Sequence, residues 1–125
     1  MSEVENTVEV SVNEKICLLT LNRPDKRNAI SLQLASELRE AILSADSNPD
    51  VSVIAITGKG SAFCAGADLQ EARNQDEAGG RYRGPLQRPE RTVYEVMIDS
   101  RKPILAIING PAVAGGFELV LACDI

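Results

Sequence analysis

Two short segments rich in small residues carry the residue types that could do chemistry. They are residues 61–69, SAFCAGADL, and residues 109–119, NGPAVAGGFEL. Small side chains let a ligand approach the main chain, so backbone N–H groups become the hydrogen-bond donors. Gly115 is expected to open a helix, which leaves its N–H unpaired at the positive end of the helix dipole. A second N–H from the 65–67 turn could converge with it in an oxyanion hole, where each donor contributes ~3 kcal/mol of transition-state stabilisation.

Glu118 follows Gly115 by three residues, which is about one helical turn along the same face. A carboxylate there could move a proton at the atom next to the stabilised oxyanion. It would be a stronger base if Phe117, Leu119 and Val120 desolvated it. Two other interpretations stay open: a Gly-Gly pair can reflect close packing, and a Glu in a first turn can simply complement the helix dipole.

Other chemistries are excluded by what the sequence lacks. The chain has no histidine, so it cannot build a Ser-His-Asp triad, a Cys-His dyad or a His-ligated zinc site. A phosphate-binding loop is a further interpretation of residues 114–116, but these lack both the Walker lysine and GxGxxG spacing. No metal is expected.

Composition and charge describe an ordinary globular domain. The 125 residues are 44% hydrophobic, and the formal net charge of −5 argues against nucleic acid as a general partner. One basic segment, residues 79–91, carries four arginines, and it is either a local anion site or a solvated loop face.

The cysteines and the apolar runs predict a cytoplasmic protein. Cys17, Cys64 and Cys123 are odd in number and lie in apolar segments, which is typical of reduced thiols. The first six residues resemble neither a signal peptide nor a transit peptide. No apolar run reaches the ~18 residues that a membrane helix needs, so no membrane partner is expected.

Strands and helices must position the two small-residue segments. Alternation over residues 8–12 and the apolar run 16–21 predict a β-hairpin. Ser31 is placed to cap a helix that runs to about Asp46. The apolar face of this helix is expected to consist of Leu34, Leu38, Ile42 and Ala45.

The second half of the chain alternates strands with helices. The apolar runs 51–57 and 104–108 predict strands covered on both faces. Helices are predicted over residues 91–100 and 115–123, and the first is expected to face inward with Val93, Tyr94, Met97 and Ile98. A short helix over 69–73 and a flexible loop over 75–89 are predicted between the strands.

This order predicts an α/β architecture with parallel crossovers. Ligands of open α/β sheets bind beyond the carboxyl ends of the strands, where both small-residue segments lie. Residues 122–125 continue an apolar pattern to the last position. That pattern is typical of a truncated sequence, although a small domain that ends in a helix would give the same pattern.

Several motifs together resemble the crotonase (enoyl-CoA hydratase/isomerase) superfamily over residues 8–125. In order along the chain they are LNRP at 21–24, NA at 28–29, FCAGADL at 63–69, KP at 102–103, NG at 109–110, GGFEL at 115–119 and CDI at 123–125. The resemblance implies a crotonase-type spiral of ββα units. Residues 1–125 would be the N-terminal half of one such domain, truncated after the oxyanion-hole helix.

The resemblance also implies a site and a reaction. The amides of Ala67 and Gly115 would hold the thioester oxygen of an acyl-CoA, and Glu118 matches the first of two catalytic glutamates. The substrate would be contacted by Ala65, Ala67, Asp68, Leu69, Gln70 and Gly115. Residues 26–29 lie where relatives contact the CoA end, and a solvated turn is the alternative for Lys26 and Arg27. Coenzyme A is part of the substrate, and no further cofactor is implied.

Hydration or dehydration of a 2-enoyl-CoA is the first expectation. A double-bond isomerase is the nearest alternative, and Gly-Gly-Phe-Glu also resembles carnitinyl-CoA dehydratases. A non-catalytic acyl-CoA-binding subunit is a further alternative, which Glu118 argues against. The family implies a homo-oligomer, a trimer or hexamer, and a second carboxylate beyond Ile125.

Overall fold

A four-stranded sheet forms the frame of the chain. The computed structural model describes residues 6–77 and 91–125, with the backbone alone for residues 75–77. The strands are β1 (Val8–Asn13), β2 (Ile16–Leu21), β3 (Val53–Gly58) and β4 (Ile104–Ile107), and they lie in that order across the sheet. β1 pairs antiparallel with β2, whereas β2, β3 and β4 run parallel to one another. The α/β prediction with parallel crossovers is therefore confirmed.

The hairpin between β1 and β2 closes through a two-residue turn. Glu14 and Lys15 both have positive φ angles, +50° and +68°. A type I′ turn needs a positive φ at both central residues, and its twist matches the twist of the two strands that it joins. The turn sets a register in which Asn13 is opposite Ile16 and Val8 is opposite Leu21. As a result, alternate side chains of β2 reach the core.

Helix α1 (Leu32–Ser47) supplies much of that core. The Ser31 hydroxyl accepts a hydrogen bond from the Leu34 amide at 3.0 Å and so caps the helix. All four residues of the predicted apolar face are buried, namely Leu34, Leu38, Ile42 and Ala45. Burying each of the larger side chains stabilises the fold by roughly 2 kcal/mol. The predicted start and inward face of this helix are confirmed.

The last strand is less covered than its sequence suggested. Ile104 is buried, but Ile107 at the other end of β4 is exposed. β4 is the outermost strand of the described sheet, and beyond it lie only residues 124–125, whose main chain bonds to Ile104 and Ala106. The expectation of a strand buried on both faces is therefore correct for β3 and wrong for the end of β4.

Three further helices follow α1. They are α2 (Leu69–Glu77), α3 (Val93–Asp99) and α4 (Gly115–Ala122). α2 is longer than predicted, so the loop expected from residue 75 is wrong for residues 75–77, and the rest of that loop lies outside the described residues. α3 begins with a capping box between Thr92 and Glu95. Its expected inward face is confirmed for Val93 and Met97 and wrong for Ile98, which is exposed.

Asn28 ties the turn after β2 to the loop after β3. The side chain is fully buried, and φ is +57°. Its amide nitrogen donates to the carbonyls of Lys59 and Ala62 at 3.1 and 2.9 Å, and its oxygen accepts from the Arg23 amide at 2.8 Å. The Cys64 thiol donates to the Asn28 carbonyl. Asn28 thus holds together the chain segments that flank the candidate site.

Replacing Asn28 with Ala is expected to lower the free energy of unfolding by about 3 kcal/mol, because it removes three hydrogen bonds of a fully buried side chain and takes this partner from the part-buried Arg23 amide and Lys59 carbonyl. Alanine also adopts a left-handed backbone less readily than asparagine. Chemical denaturation measures the effect. The matched control is Asn22→Ala, which removes one exposed hydrogen bond to the Asn6 carbonyl and should cost below about 0.5 kcal/mol. Equal effects of the two substitutions would contradict the assigned role.

Candidate functional site

The two small-residue segments meet beyond the carboxyl ends of β3 and β4. The Phe63 amide donates to the Pro111 carbonyl at 3.0 Å, and the Val113 amide donates to the Cys64 carbonyl at 3.0 Å. Cys64 and Ala112 form an isolated parallel bridge. These bonds align the segments side by side, as expected from their positions after neighbouring parallel strands.

Glycine is required where the segments touch. A Cβ on Gly66 would lie 2.9 Å from the Val113 carbonyl oxygen and 3.2 Å from the Gly115 nitrogen, and φ of Gly66 is +93°. A Cβ on Gly116 would lie 2.2 Å from the Cys64 carbonyl oxygen. Only residues without a side chain allow this approach. The main chain at Gly66 therefore lies against the first turn of α4.

The amide of Ala67 points away from its neighbouring chain segment. The Ile30 amide donates to the Gly66 carbonyl at 2.7 Å, and the Asp68 amide donates to the Ile30 carbonyl at 3.0 Å. Successive amides of an extended chain point in opposite directions, so the N–H of Ala67 faces away from Ile30. In the part of the chain that the structure describes, no residue accepts a hydrogen bond from it.

Gly115 presents a second amide at the start of α4. The Gly116 amide donates to Val113 and the Glu118 amide to Ala114, whereas among residues 6–77 and 91–125 none accepts from Gly115. The residue before it, Ala114, has φ +50° and ψ −117°. Such a backbone is strained for a residue other than glycine, at a cost of order 1–3 kcal/mol, and strain of this kind clusters at functional sites.

The structure thus brings together the two backbone donors that the sequence singled out. The amides of Ala67 and Gly115 are both unpaired within the described chain, and Gly66 lies between them. Two such donors can hold one oxygen that gains negative charge. Their catalytic role stays a prediction.

Glu118 lies in the first turn of α4, as predicted, and its side chain is exposed. Its neighbours along the helix do not cover it. Phe117 is itself 51% exposed, and Leu119, although fully buried, packs into the core. A helix turns by ~100° per residue, so adjacent residues face different directions and cannot cover one another. The carboxylate is therefore accessible to solvent and to a ligand.

Tyr94 is a member of the site that the sequence did not identify. Its hydroxyl donates to the Gly115 carbonyl at 3.2 Å, and burial together with the charge of Glu118 raises the pKa of Tyr94 to about 12. The phenol is therefore protonated at neutral pH. The sequence placed Tyr94 on the inward face of α3 with apolar residues, and nothing in its spacing indicated a contact with α4.

The residues expected to contact substrate lie beside Ala67. Ala65, Leu69 and Gln70 are exposed, so each is accessible. Asp68 is more constrained, because its carboxylate accepts from the Glu71 amide at 3.1 Å and pairs with Arg23 at 3.1 Å. These partners hold the pKa of Asp68 below its usual range. Substrate contact by these residues stays a prediction.

Residues 26–29 do not present one common surface. Lys26 and Arg27 are exposed and accessible, but Asn28 is 0% exposed. The Asn28 side chain is used inside the fold. Contact of residues 26–29 with the CoA end stays a prediction.

The three cysteines are free thiols, and burial raises the pKa of the Cys17 and Cys64 thiols. Neither is therefore activated as a nucleophile.

Within the described ranges, no group of three or more acidic, cysteine or histidine residues is arranged to hold a metal ion. No described helix is long and apolar enough to cross a membrane.

Comparison with known proteins identifies relatives of the chain. The family model described as enoyl-CoA hydratase/isomerase matches residues 11–125. The chain is 36% identical over 121 residues to the probable enoyl-CoA hydratase EchA14 of Mycobacterium tuberculosis, covering 94% of this chain and 45% of that protein. It is also 36% identical over 135 residues to the peroxisomal Delta(3,5)-Delta(2,4)-dienoyl-CoA isomerase of Arabidopsis thaliana, covering 98% and 49%.

A solved structure shows the same arrangement of elements. The crystal structure of a probable enoyl-CoA hydratase/isomerase from Mycobacterium abscessus superposes with a TM-score of 0.79 and 37% identity, covering 98% of this chain and 45% of that one. The crotonase-type fold is thereby confirmed for the described residues. The chain spans about half the length of the relatives that it matches.

Proposed function

Because the chain belongs to the enoyl-CoA hydratase/isomerase family, we propose that the whole protein adds water to a 2-enoyl-CoA thioester and removes it in reverse. The observation that carries this proposal is the pair of unpaired amides at Ala67 and Gly115 with the Glu118 carboxylate one helical turn further along α4. Coenzyme A enters as part of the substrate, and the proposal includes no further cofactor and no metal.

The two amides would act on the thioester oxygen. Both N–H groups donate to this oxygen, and they donate more strongly as it gains negative charge. This stabilises the enolate that forms when a nucleophile adds to C3 of the enoyl group. The donors are backbone groups fixed by the fold, so little reorganisation is needed during the reaction.

Glu118 would act on the water. Its carboxylate accepts one proton as the water oxygen bonds to C3, and the C2–C3 π electrons move onto the thioester as an enolate. A second acid then delivers a proton to C2, which completes the addition of one water molecule. We expect this acid to be a second carboxylate beyond Ile125.

An isomerase is the second candidate, and the dienoyl-CoA isomerase relative supports it. The same two amides would stabilise a dienolate, while a carboxylate removes a proton from one carbon and the proton is returned to another. No oxygen would be added to the product. Hydratase and isomerase thus differ in what happens to water, not in how the thioester is held.

Isotope labelling distinguishes these candidates. The complete protein is incubated with a short trans-2-enoyl-CoA in water enriched in oxygen-18, and the product is analysed by mass spectrometry. We expect one labelled oxygen at C3 and loss of the conjugated enoyl absorbance. A shifted double bond without label would support the isomerase instead. Tight binding without any product would support a non-catalytic acyl-CoA-binding subunit.

Assembly and location belong to the same proposal. We expect the whole protein to form a homotrimer or a hexamer in the cytoplasm and to need neither nucleic acid nor a membrane. Sedimentation of the complete protein with and without acyl-CoA measures its assembly state directly.

A further inference from the structure

We propose that Arg23 is a positioning residue that aims the Ala67 amide through its ion pair with Asp68. The catalytic part of this inference rests on the proposed function, because it concerns the same oxyanion-binding amides. Arg23 belongs to the turn after β2 and lies outside the two small-residue segments. Its side chain reaches the segment that carries Ala67.

One nitrogen of the Arg23 guanidinium bridges two chain segments. Nη1 donates to the Ala29 carbonyl at 2.7 Å and to Oδ2 of Asp68 at 3.1 Å. Ala29 precedes Ile30, and Asp68 follows Ala67, while Ile30 and Ala67 form an isolated parallel bridge. The guanidinium therefore spans the bridge on which the orientation of the Ala67 amide depends.

The bridge needs this support because it is not part of the sheet. In the part of the chain that the structure describes, three main-chain bonds join the segments, from Ala65 to Arg27, from Ile30 to Gly66 and from Asp68 to Ile30. The last two flank Ala67. The amide of Ala67 is directed outward only while both bonds persist. A hydrogen bond to a charged group typically contributes more than one between neutral groups, about 1.5–3 kcal/mol. The Arg23 contacts are thus comparable in strength to the bridge itself.

Both ends of the ion pair are held in place. The Arg23 amide donates to the buried Asn28 side chain at 2.8 Å, and Oδ1 of Asp68 accepts from the Glu71 amide at 3.1 Å at the start of α2. The two side chains are only 19% and 16% exposed. Side chains that are already ordered lose little entropy when they pair. This ion pair can therefore fix the position of the segment that carries Ala67.

Protonation does not interrupt the pair near neutral pH. The Glu71 amide and Arg23 lower the pKa of Asp68, and partial burial only partly opposes them. A lowered pKa means that the contribution of the ionised carboxylate is fully present above the ordinary aspartate pKa of about 4. It is lost as the pH falls through the lowered value. Positioning by Arg23 should therefore be constant across the neutral range.

A double-mutant cycle in the complete protein tests the inference. The variants are Arg23→Gln, Asp68→Asn and the double substitution, with Arg23→Lys as the conservative variant. Misplacing a reacting group by about 1 Å can cost up to ~10²-fold in rate, and we expect each single substitution to lower kcat by about 10-fold with KM little changed. The double variant should be no slower than the slower single, because either substitution breaks the pair. Arg23→Lys should recover part of the loss.

A matched control comes from the ion pair between Glu9 and Lys59. The atoms are 3.3 Å apart, and both side chains are about half exposed. Exposed pairs contribute little, and this pair joins β1 to the loop after β3 without touching Ala67. Glu9→Gln and Lys59→Gln should leave kcat unchanged. A loss in these variants equal to that in Arg23→Gln would overturn the assignment of a specific role.

The carbonyl stretch of a bound saturated acyl-CoA, which cannot react, provides a second readout. Hydrogen bonding by the two amides lowers its frequency, and in Arg23→Gln we expect it to shift back toward the value in free solution. An unchanged band together with a lower unfolding temperature would show a merely structural role and overturn the proposal. If the wild type binds acyl-CoA but does not convert it, the proposed function fails. The carbonyl stretch of the bound acyl-CoA then still shows whether Arg23 positions the Ala67 amide. If Arg23→Gln does not fold, Arg23→Lys and Asp68→Asn carry the same comparison.

Discussion

Replacing Glu118 with Gln is expected to lower kcat of the whole protein by ~10²–10⁴-fold, the range that a positioned acid or base contributes. Gln keeps the shape and the hydrogen-bonding capacity of the side chain but cannot accept the proton of the attacking water. KM should change little, because the lost interaction acts in the transition state and not in the bound ground state. Steady-state hydration of a 2-enoyl-CoA measures both constants.

Because Glu118 is exposed, this substitution can change activity with little effect on stability. Its carboxylate has no described hydrogen-bond or ion-pair partner, so the substitution should leave the free energy of unfolding within about 0.5 kcal/mol. Glu40→Gln is the control, since Glu40 is an exposed glutamate on α1 that pairs with Arg39. Unchanged turnover in the Glu118 variant would remove the acid–base assignment.

The pKa of the neighbouring Tyr94 phenol provides a test that needs no substrate. Burial is the larger cause of the raised pKa of Tyr94, and the charge of Glu118 adds to it. Glu118→Gln should therefore lower this pKa from about 12, as followed by the nuclear magnetic resonance signal of the labelled ring. An unchanged titration would mean that the carboxylate does not face Tyr94 in solution.

Periodic patterns in the sequence predicted the frame of the fold well. The four apolar residues of α1 recur at helical spacing, and all of them are buried because one face of that helix covers the sheet. Alternation over residues 8–12 and the apolar run 16–21 likewise predicted the hairpin. These signals are local, since the spacing of a few neighbouring residues determines which face meets the core.

The errors lie where burial depends on distant parts of the chain. Ile98 and Ile107 are apolar and sit in otherwise inward-facing patterns, yet no described element covers them. The burial of the Asn28 side chain was not predicted either, because it depends on carbonyls of the loop after β3. A single polar residue in a turn carries no sequence signal of such a contact.

The candidate site was predictable in part for the same reason. Small residues after buried strands indicated Gly115 and the 65–67 turn. The family resemblance identified Ala67 within that turn and implied the roles of both amides. Which way the Ala67 amide points could not be predicted, because it depends on bonds to Ile30 and on the Arg23–Asp68 pair. Those partners lie on other elements and meet Ala67 only after folding.

Replacing Gly115 with Pro is expected to lower kcat/KM by about 10²–10³-fold relative to Gly115→Ala, the loss measured when one oxyanion donor is removed. Proline is sterically compatible with the first position of a helix, but it has no N–H and places its ring where that hydrogen points. Alanine retains the donor. Both add a Cβ, which would lie 3.2 Å from the Tyr94 hydroxyl and 3.3 Å from Cδ1 of Ile30.

The comparison between these two variants separates a change at the N–H position from the effect of the added Cβ. Both variants have the tight Cβ contacts, so both should unfold at a lower temperature than the wild type. Thermal unfolding of each variant shows whether proline destabilises the fold further. Turnover is then compared at a temperature where both are folded. A proline variant as active as the alanine variant would show that the Gly115 amide does not hold the thioester oxygen. A loss confined to the proline variant would have its cause at the N–H position, where the hydrogen bond is lost and the proline ring lies instead, because the added Cβ is present in both.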